Sequence, residues 1–371
     1  MGFVYPGAYW PTGFWPTRYW HVIDDSPEPP LTIVPDVGWV NGAYALVVVA
    51  DDNGIPIGEL AAEIDGLTWV LNEFGQARLT VPNPGTAARL MEFGNRLLIY
   101  IDNGLPPWSG FIDPPRRWRY GAAALTAYSG ERLLTHRVTG RNRTLNATPG
   151  AILTTLLKEQ AGRGVVETGR IDMGGDAVSG AWHYDELYKI LQSGLFAGFD
   201  FHVTGAMENG RVVFRLNLYQ RRGFVLPGVV LVEGHNTSGV DVEEQGPIVN
   251  QWFAAGAGNG WGDTDRVYSE AAAAGSIAQI GLRQGGKTYS NVRDKTTRDM
   301  LTAAELAGSS DAYFSISADA RNLTPARFAD YDIGDTVGVE IYSVGDGYRG
   351  ERRVIGRNYV AARGVVETVL L

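Results

Sequence analysis

Residues 60–81 read LAAEIDGLTWVLNEFGQARLTV, residues 96–102 RLLIYID, residues 108–113 WSGFID and residues 117–128 RWRYGAAALTAY. These segments decide the fold. Leu67, Trp69 and Leu71 recur at every second position, and so do Ala77, Leu79 and Val81. A period of two is that of a strand with one face buried. Asn103 and Gly104 stand between the second and third segments, and this dipeptide favours a tight hairpin because its central positions need positive φ. Short strands at close spacing, separated by turn signals, indicate a barrel or a sandwich.

Outward from that stretch, the bulk properties bound the rest. The chain has 371 residues, enough for roughly two to four domains, each with its own core. The 48 Gly, 17 Tyr and 10 Trp suit a turn-rich β protein. There is no Cys, hence no disulfide framework and no thiolate chemistry. The net charge is −9, and basic residues come only in short groups such as Arg116 and Arg117. Stable nucleic-acid binding is therefore not expected, because it calls for basic tracts. No apolar run approaches the ~18 residues of a membrane span, and the N-terminus lacks the pattern of a secretory signal.

Residues 1–30 form a segment of another kind. Tyr9-Trp10-Pro11-Thr12 is followed by Phe14-Trp15-Pro16-Thr17 and then Tyr19-Trp20. Proline at this spacing forbids a helix and favours extended or polyproline II structure. So many large aromatics must pack on something, at roughly 25 cal/mol per Å² of apolar surface. Their own β domain, a neighbouring subunit or a glycan would each serve. Trp10, Trp15 and Trp20 are the candidate interface residues, and residues 26–30 (SPEPP) read as a stiff linker.

Downstream, residues 44–50 (YALVVVA) read as a buried strand and 51–54 (DDNG) as a turn. Its carboxylates lack the spacing of a calcium loop. Thr148 and Pro149 open a helix as N-cap and first residue, with Ile152, Leu153, Leu156 and Leu157 on one face. A second helix is expected over 184–195, with Leu187, Tyr188, Leu191 and Leu195 as its stripe. Alternation through Phe199, Phe201 and Val203, the pair Asn209-Gly210, and alternation through Val212, Phe214, Leu216 and Leu218 predict a hairpin. From 240 the chain returns to β structure with one helix near 292–306. The expected divisions are an arm and linker at 1–30, a first β-barrel domain at 31–145, a small α+β domain at 146–239, and a second barrel-like domain with one helix at 240–371.

No motif carries chemistry in the right setting. Gly281 to Thr288 (GLRQGGKT) satisfies G-x-x-x-x-G-K-[ST], the phosphate-binding loop, which works only between a buried strand and a helix. The preceding AAAAGSIAQI is a poor buried strand, so a glycine-rich turn before a helix is expected instead. Gly256, Gly258, Gly260 and Gly262, with Trp252 and Trp261, read as a surface loop. His21, His136, His183, His202 and His235 include no pair at i, i+4, and no G-x-S-x-G elbow accompanies them. No catalytic residue, cofactor or metal is expected. The chain ends as its last strand finishes, so no appended peptidase or lysozyme domain is expected.

Several cues in this order resemble the central hub proteins of phage tail tips and baseplates. They are Leu71-Asn72, Gly75, Ala77, Trp108, Gly110 and Ile112, then Thr148 to Leu153, Trp182 with Leu187 and Ile190, and Gly198 to Phe201. Near the end come Tyr331, Gly334, Asp335 and Val337, then Arg353, Val354 and Gly356. The resemblance covers about residues 31–371 and leaves the aromatic arm outside it. It implies a mainly β fold with an α+β insertion, that is, two β-barrel-like tail-tube-type domains flanking a small helix-containing domain. It also implies a virion structural protein assembled in the host cytoplasm, a homotrimer that joins the tail tube or a distal tail protein to tip or fibre proteins around an axial channel for DNA. A carbohydrate-binding β-sandwich using the Trp array for receptor glycans is the alternative, and a nucleotide binder a third.

Overall fold

The structure, a computed structural model, describes residues 45–371 except 86, 161–165, 197, 246–248, 258–267, 290, 291, 293, 311, 312 and 346. The arm residues Trp10, Trp15 and Trp20 lie outside the described residues, as does His21.

The first β region has seven strands: β1 (Ala45–Ala50) and β2 (Pro56–Glu59), then β3 (Glu63–Val70), β4 (Gln76–Pro82), β5 (Arg96–Ile101), β6 (Trp108–Arg119) and β7 (Ala122–Ser129) from the stretch quoted above. They pair in the order β3-β4-β7-β6-β5-β1-β2. The alternation of the sequence is the alternation of burial, with Leu67, Trp69, Ala77, Leu79 and Val81 all inside. Asn103 and Gly104 do connect β5 to β6, with Gly104 at φ 86. The last paired residues are Ile99 and Trp108, so this loop is wider than a two-residue turn. The DDNG turn closes on itself, since Asp51 Oδ1 accepts the N–H groups of Asn53 (2.9 Å) and Ile55 (2.8 Å).

The α+β insertion comprises β8 (Arg143–Ala147), α1 (Pro149–Glu159), β9 (Glu167–Ile171), β10 (Val178–Trp182), α2 (Leu187–Leu191), β11 (Asp200–Glu208) and β12 (Arg211–Tyr219). Helix α1 starts behind Thr148 with Pro149 in its first turn and buries Ile152, Leu153, Leu156 and Leu157. The second helix is shorter than the sequence predicts. Tyr184 sits at φ 60, a left-handed conformation that no α-helix accommodates, and Glu186 is extended, so α2 begins only at Leu187. After α2 a 3-10 turn, Gly194–Phe196, carries Leu195, and the predicted stripe is buried all the same. In the β11–β12 hairpin Glu208 faces Arg211, and Asn209 and Gly210 both take positive φ (48° and 74°), as a two-residue turn of that twist requires.

The remaining elements are β13 (Val225–Val232), β14 (Thr237–Gln245), β15 (Gln251–Ala255), β16 (Tyr268–Ala272), α3 (Ala274–Ile280), β17 (Gln284–Thr288), α4 (Lys295–Ala307), β18 (Tyr313–Ala320), β19 (Thr336–Ile341), β20 (Tyr348–Val360) and β21 (Val365–Leu370). The helix expected near 292–306 is α4, and α3 is an additional one. Strands β14 and β18 pair with each other, so residues 251–307, with a three-stranded sheet of their own in the order β16-β15-β17, are an excursion between two paired strands.

The chain is mainly β with an α+β insertion, as the sequence predicts. The β regions on either side of the insertion are joined. Strand β20 pairs with β3, from Gly356 against Val70 to Val360 against Gly66, and all strands of both regions outside the excursion fall in one 13-stranded sheet. No ring of strand pairs closes among the described residues. One hydrophobic core spans the join, with Leu67, Leu79, Leu97 and Ile99 beside Phe328, Val337, Val354 and Val366. The insertion has a separate core around Leu153, Leu156, Phe201, Phe214 and Leu216.

Candidate assembly surfaces

The residues that carry the sequence resemblance are structural. Gly75 lies so close to β3 that an added Cβ would meet the Thr68 carbonyl oxygen at 1.9 Å. Its N–H donates to Ser129 Oγ at 2.8 Å. At Gly110 a Cβ would meet the Tyr128 carbonyl oxygen at 2.2 Å and the Trp108 ring at 2.3 Å. The Trp108 indole N–H in turn donates to the Thr68 carbonyl at 3.1 Å. Asn72, at φ 63, accepts the Phe201 N–H at 2.7 Å and so ties the β3–β4 turn to the insertion. Tyr331 and Val337 are buried, and Asp335 accepts the N–H groups of Phe224 and Asp332, each at 2.8 Å.

A polar clamp holds the insertion to the large sheet. Asp200, at the start of β11, is 4% exposed. It accepts the Arg222 N–H at 2.6 Å and both terminal nitrogens of the Arg353 guanidinium on β20, Nη1 at 3.2 Å. Arg353 also donates to the carbonyls of Gly334 (3.1 Å) and Arg222 (2.9 Å), and Arg222 donates to Asp332 at 2.7 Å. The fork of an arginine suits such bidentate work. A second clamp lies at β5. Arg96 donates to the carbonyls of Val212 (2.7 Å) and Asp52 (2.8 Å) and stacks 5.2 Å over the Phe214 ring.

A buried ionisable pair lies between the same units. Glu131, 1% exposed, accepts the Val203 N–H at 2.6 Å and contacts His202 Nδ1 at 2.8 Å. Burial pushes its carboxyl up, but the His202 charge and the hydrogen bonds outweigh this and hold it below the usual carboxylate range. The other described histidines lie apart. His136 packs on Phe111, His183 Nδ1 is 3.0 Å from Asn142 Oδ1, and His235 Nε2 is 3.0 Å from the Thr324 carbonyl. Among the described residues no group of three or more His, Asp or Glu is placed to hold a metal ion.

The phosphate-loop match dissolves in the fold. Gly281, at φ 80, ends α3, and Gln284–Thr288 is strand β17, paired in parallel with β15. The expectation of a turn at this place is corrected, because the two glycines are drawn out in a ladder. An extended backbone points successive N–H groups to opposite sides and cannot wrap a phosphate. Lys287 pairs with Glu305 and lies 5.6 Å over the Tyr289 ring. Helix α4 begins only at Lys295. Of the glycine-rich loop, residues 258–267 lie outside the described residues, while Trp252 donates its indole N–H to Ser309 Oγ at 2.7 Å.

What remains open is surface. Among the described residues the large sheet ends in β14 on one side and β2 on the other, and β13 has β19 as its one strand partner. Phe224 (78% exposed) and Val225 (55%) stand at the start of β13. An unpaired, apolar strand edge is a template for another chain. At the tip of the β6–β7 hairpin, Trp118 and Tyr120 are exposed, as is Phe93 beside them. A groove of about 580 Å³ lies between the insertion and α4, lined among others by Leu71, Glu73, Leu191, Phe199 and Glu305. No helix among the described residues is long and apolar enough to cross a membrane.

No protein-family model and no curated protein matches the chain. Solved structures do. The prophage tail protein gp18 from Listeria monocytogenes EGD-e superposes with a TM-score of 0.56 at 13% identity, over 88% of this chain and 94% of that one. The 43 kDa tail protein of prophage MuSo2 from Shewanella oneidensis gives 0.56 at 12% identity, over 88% and 98%. A tail protein from Neisseria meningitidis MC58 gives 0.54 at 12% identity, over 88% and 95%. The chain has the fold of these phage tail proteins, as the order of the sequence cues implies.

Proposed function

We propose that this chain is a structural virion protein of a phage tail, the central hub of a tail tip or baseplate, without enzymatic activity. It joins the tail tube or a distal tail protein to tip or fibre proteins, as a homotrimer whose tail-tube-type β regions surround an axial channel for DNA. It is assembled in the host cytoplasm. The observation that carries this reading is the extent of the likeness: the solved tail proteins overlap 88% of this chain and nearly the whole of their own. The open strand edges support it, because a closed ring covers edges that would otherwise template aggregation. The net charge of −9 suits a channel that must not hold DNA. Trp10, Trp15 and Trp20 serve in this reading as interface anchors on a neighbouring protein.

Immunogold electron microscopy of virions tests the location, with label expected at the distal end of the tail. Label on the capsid refutes the role. Light scattering of the isolated protein, with and without the adjoining tail protein, is expected to give three chains. A stable two-fold dimer refutes the ring. Binding on a glycan array that disappears when the three Trp are replaced would favour the carbohydrate reading instead.

A further inference from the structure

The tip of the β6–β7 hairpin is built unlike the surface around it. Beyond Ile112 the outer edge of β6 has no strand partner among the described residues, since its pairing with β5 ends at Phe111. Along that free edge the side chains alternate. Arg116 lies between two rings, 4.8 Å over Phe93 and 5.1 Å over Trp118. Tyr120 caps the turn, fully exposed. Arg117 and Arg119 face the other way, opposite Ala124 and Ala122 of β7, and neither makes an ion pair among the described residues. The tip is held firmly, because the Asn83 N–H donates to the Gly121 carbonyl at 2.9 Å and Arg116 donates to the Met91 carbonyl at 2.7 Å. A rigid, cationic, aromatic edge thus stands on a chain of net charge −9.

The same chain carries a segment of matching chemistry. Between Arg18 and Arg78 there is no Lys or Arg. Residues 24–36 read DDSPEPPLTIVPD, with Asp24, Asp25, Glu28 and Asp36 interleaved with four prolines. Proline fixes an extended backbone at little entropic cost and packs on flat aromatic rings. Carboxylates pair with guanidinium forks. Reach is sufficient. Ala45 pairs with Ile101, at the far end of β5, and the 12 residues of β6 span about 40 Å. Residues 31–44 can span at most about 50 Å when extended.

We propose that the acidic, proline-rich segment 24–36 docks on the β6–β7 hairpin, its prolines against Phe93, Trp118 and Tyr120 and its carboxylates on Arg117 and Arg119. Docking there fixes the root of the aromatic arm and sets the direction in which Trp10, Trp15 and Trp20 are presented. The inference rests on the hairpin and on charge, and it stands whether or not the protein is a tail hub.

The absence of Cys gives a clean background for cross-linking in the full-length chain. Ser26→Cys is combined with Ala122→Cys, and in a control with Asp176→Cys, an exposed site in the insertion. Disulfide formation under mild oxidation is expected for the first pair well ahead of the control. Adding Arg117→Glu and Arg119→Glu, or Trp118→Ala, is expected to slow it about tenfold, with the circular dichroism and melting temperature unchanged. High salt is expected to slow the first pair as well. Mixing single-Cys chains separates docking on the same chain, which the reach of residues 31–44 leads us to expect, from docking on a neighbouring copy, and linkage found only between chains overturns docking on the chain's own hairpin. Equal rates for the two pairs, or a rate indifferent to the charge reversal, overturns it and leaves the hairpin to some other partner.

Discussion

Asp200→Ala tests whether the insertion and the large sheet unfold as one body. The substitution removes the acceptor of the bidentate Arg353 contact and of the Arg222 N–H. Among the described residues Arg353 then keeps the two carbonyls of Gly334 and Arg222 and no ion pair. Leaving one member of a buried ion pair costs about 3–5 kcal/mol. The Arg353 side chain is 24% exposed and that of Asp200 6%, so water relieves part of this, and a loss of about 3 kcal/mol is expected. Arg363→Ala is the comparison, because it breaks the pair with Asp319 in which the arginine is 52% exposed. It should cost less than about 1 kcal/mol. The assay is urea unfolding followed by tryptophan fluorescence and by circular dichroism. In Asp200→Ala the two signals should separate, since the insertion has its own core and loses its bidentate tie to β20. Asp200→Leu with Arg353→Met removes both charges and should recover most of the loss. If Asp200→Ala costs under about 1 kcal/mol, or the double variant is no better than the single one, the clamp does not hold the two units together.

Three further outcomes are expected. Glu131 has a folded-state pKa held below its ordinary value of 4.5, so its contribution is complete above that value and disappears as pH falls through the depressed one. The melting temperature should therefore drop below pH 4.5 in the native chain and respond less in Glu131→Gln, a comparison that differential scanning calorimetry makes directly. Gly75→Ala and Gly110→Ala should each destabilise by about 1–3 kcal/mol or more, because the methyl group meets backbone rather than a movable side chain; a normal melting temperature for either would contradict the packing described. Lys287→Ala should melt within about 1 kcal/mol of the native protein, and neither ATP nor GTP should shift the native melting temperature, whereas a ligand at a thousand times its Kd would stabilise by about 4 kcal/mol.

Strands β4 and β7 were legible because each buries one face, and a period of two survives in the sequence wherever that is so, whereas β5, with four consecutive buried residues, was legible as a short apolar run. Helix α1 was legible through its cap and stripe. The β11–β12 turn was legible because Asn209 and Gly210 are the residues that tolerate positive φ. The short α2 was not, since a left-handed Tyr184 leaves no mark in composition. Strand β17 was hidden by its own glycines, which advertise a turn but are drawn out by pairing with β15. The clamp at Asp200 could not be read, because its partners lie 22 to 153 positions away and no local pattern links them. Among the cues of the family resemblance, Gly75 and Gly110 were informative because each marks a close backbone approach where an added Cβ does not fit.

The pairing of β3 with β20 also fixes an order of events. Thr68 Oγ1 donates to Asn358 Oδ1 across 290 positions at 3.1 Å, and among the described residues the β3 edge away from β4 pairs with residues 356–360. During synthesis the first seven strands leave the ribosome long before that partner exists. The nascent sheet must wait with Leu67 and Trp69 next to an open edge, and contacts so distant along the chain form slowly. A host chaperone that shields exposed strand edges would find its substrate in this interval, and a truncation upstream of residue 356 would leave the edge permanently bare.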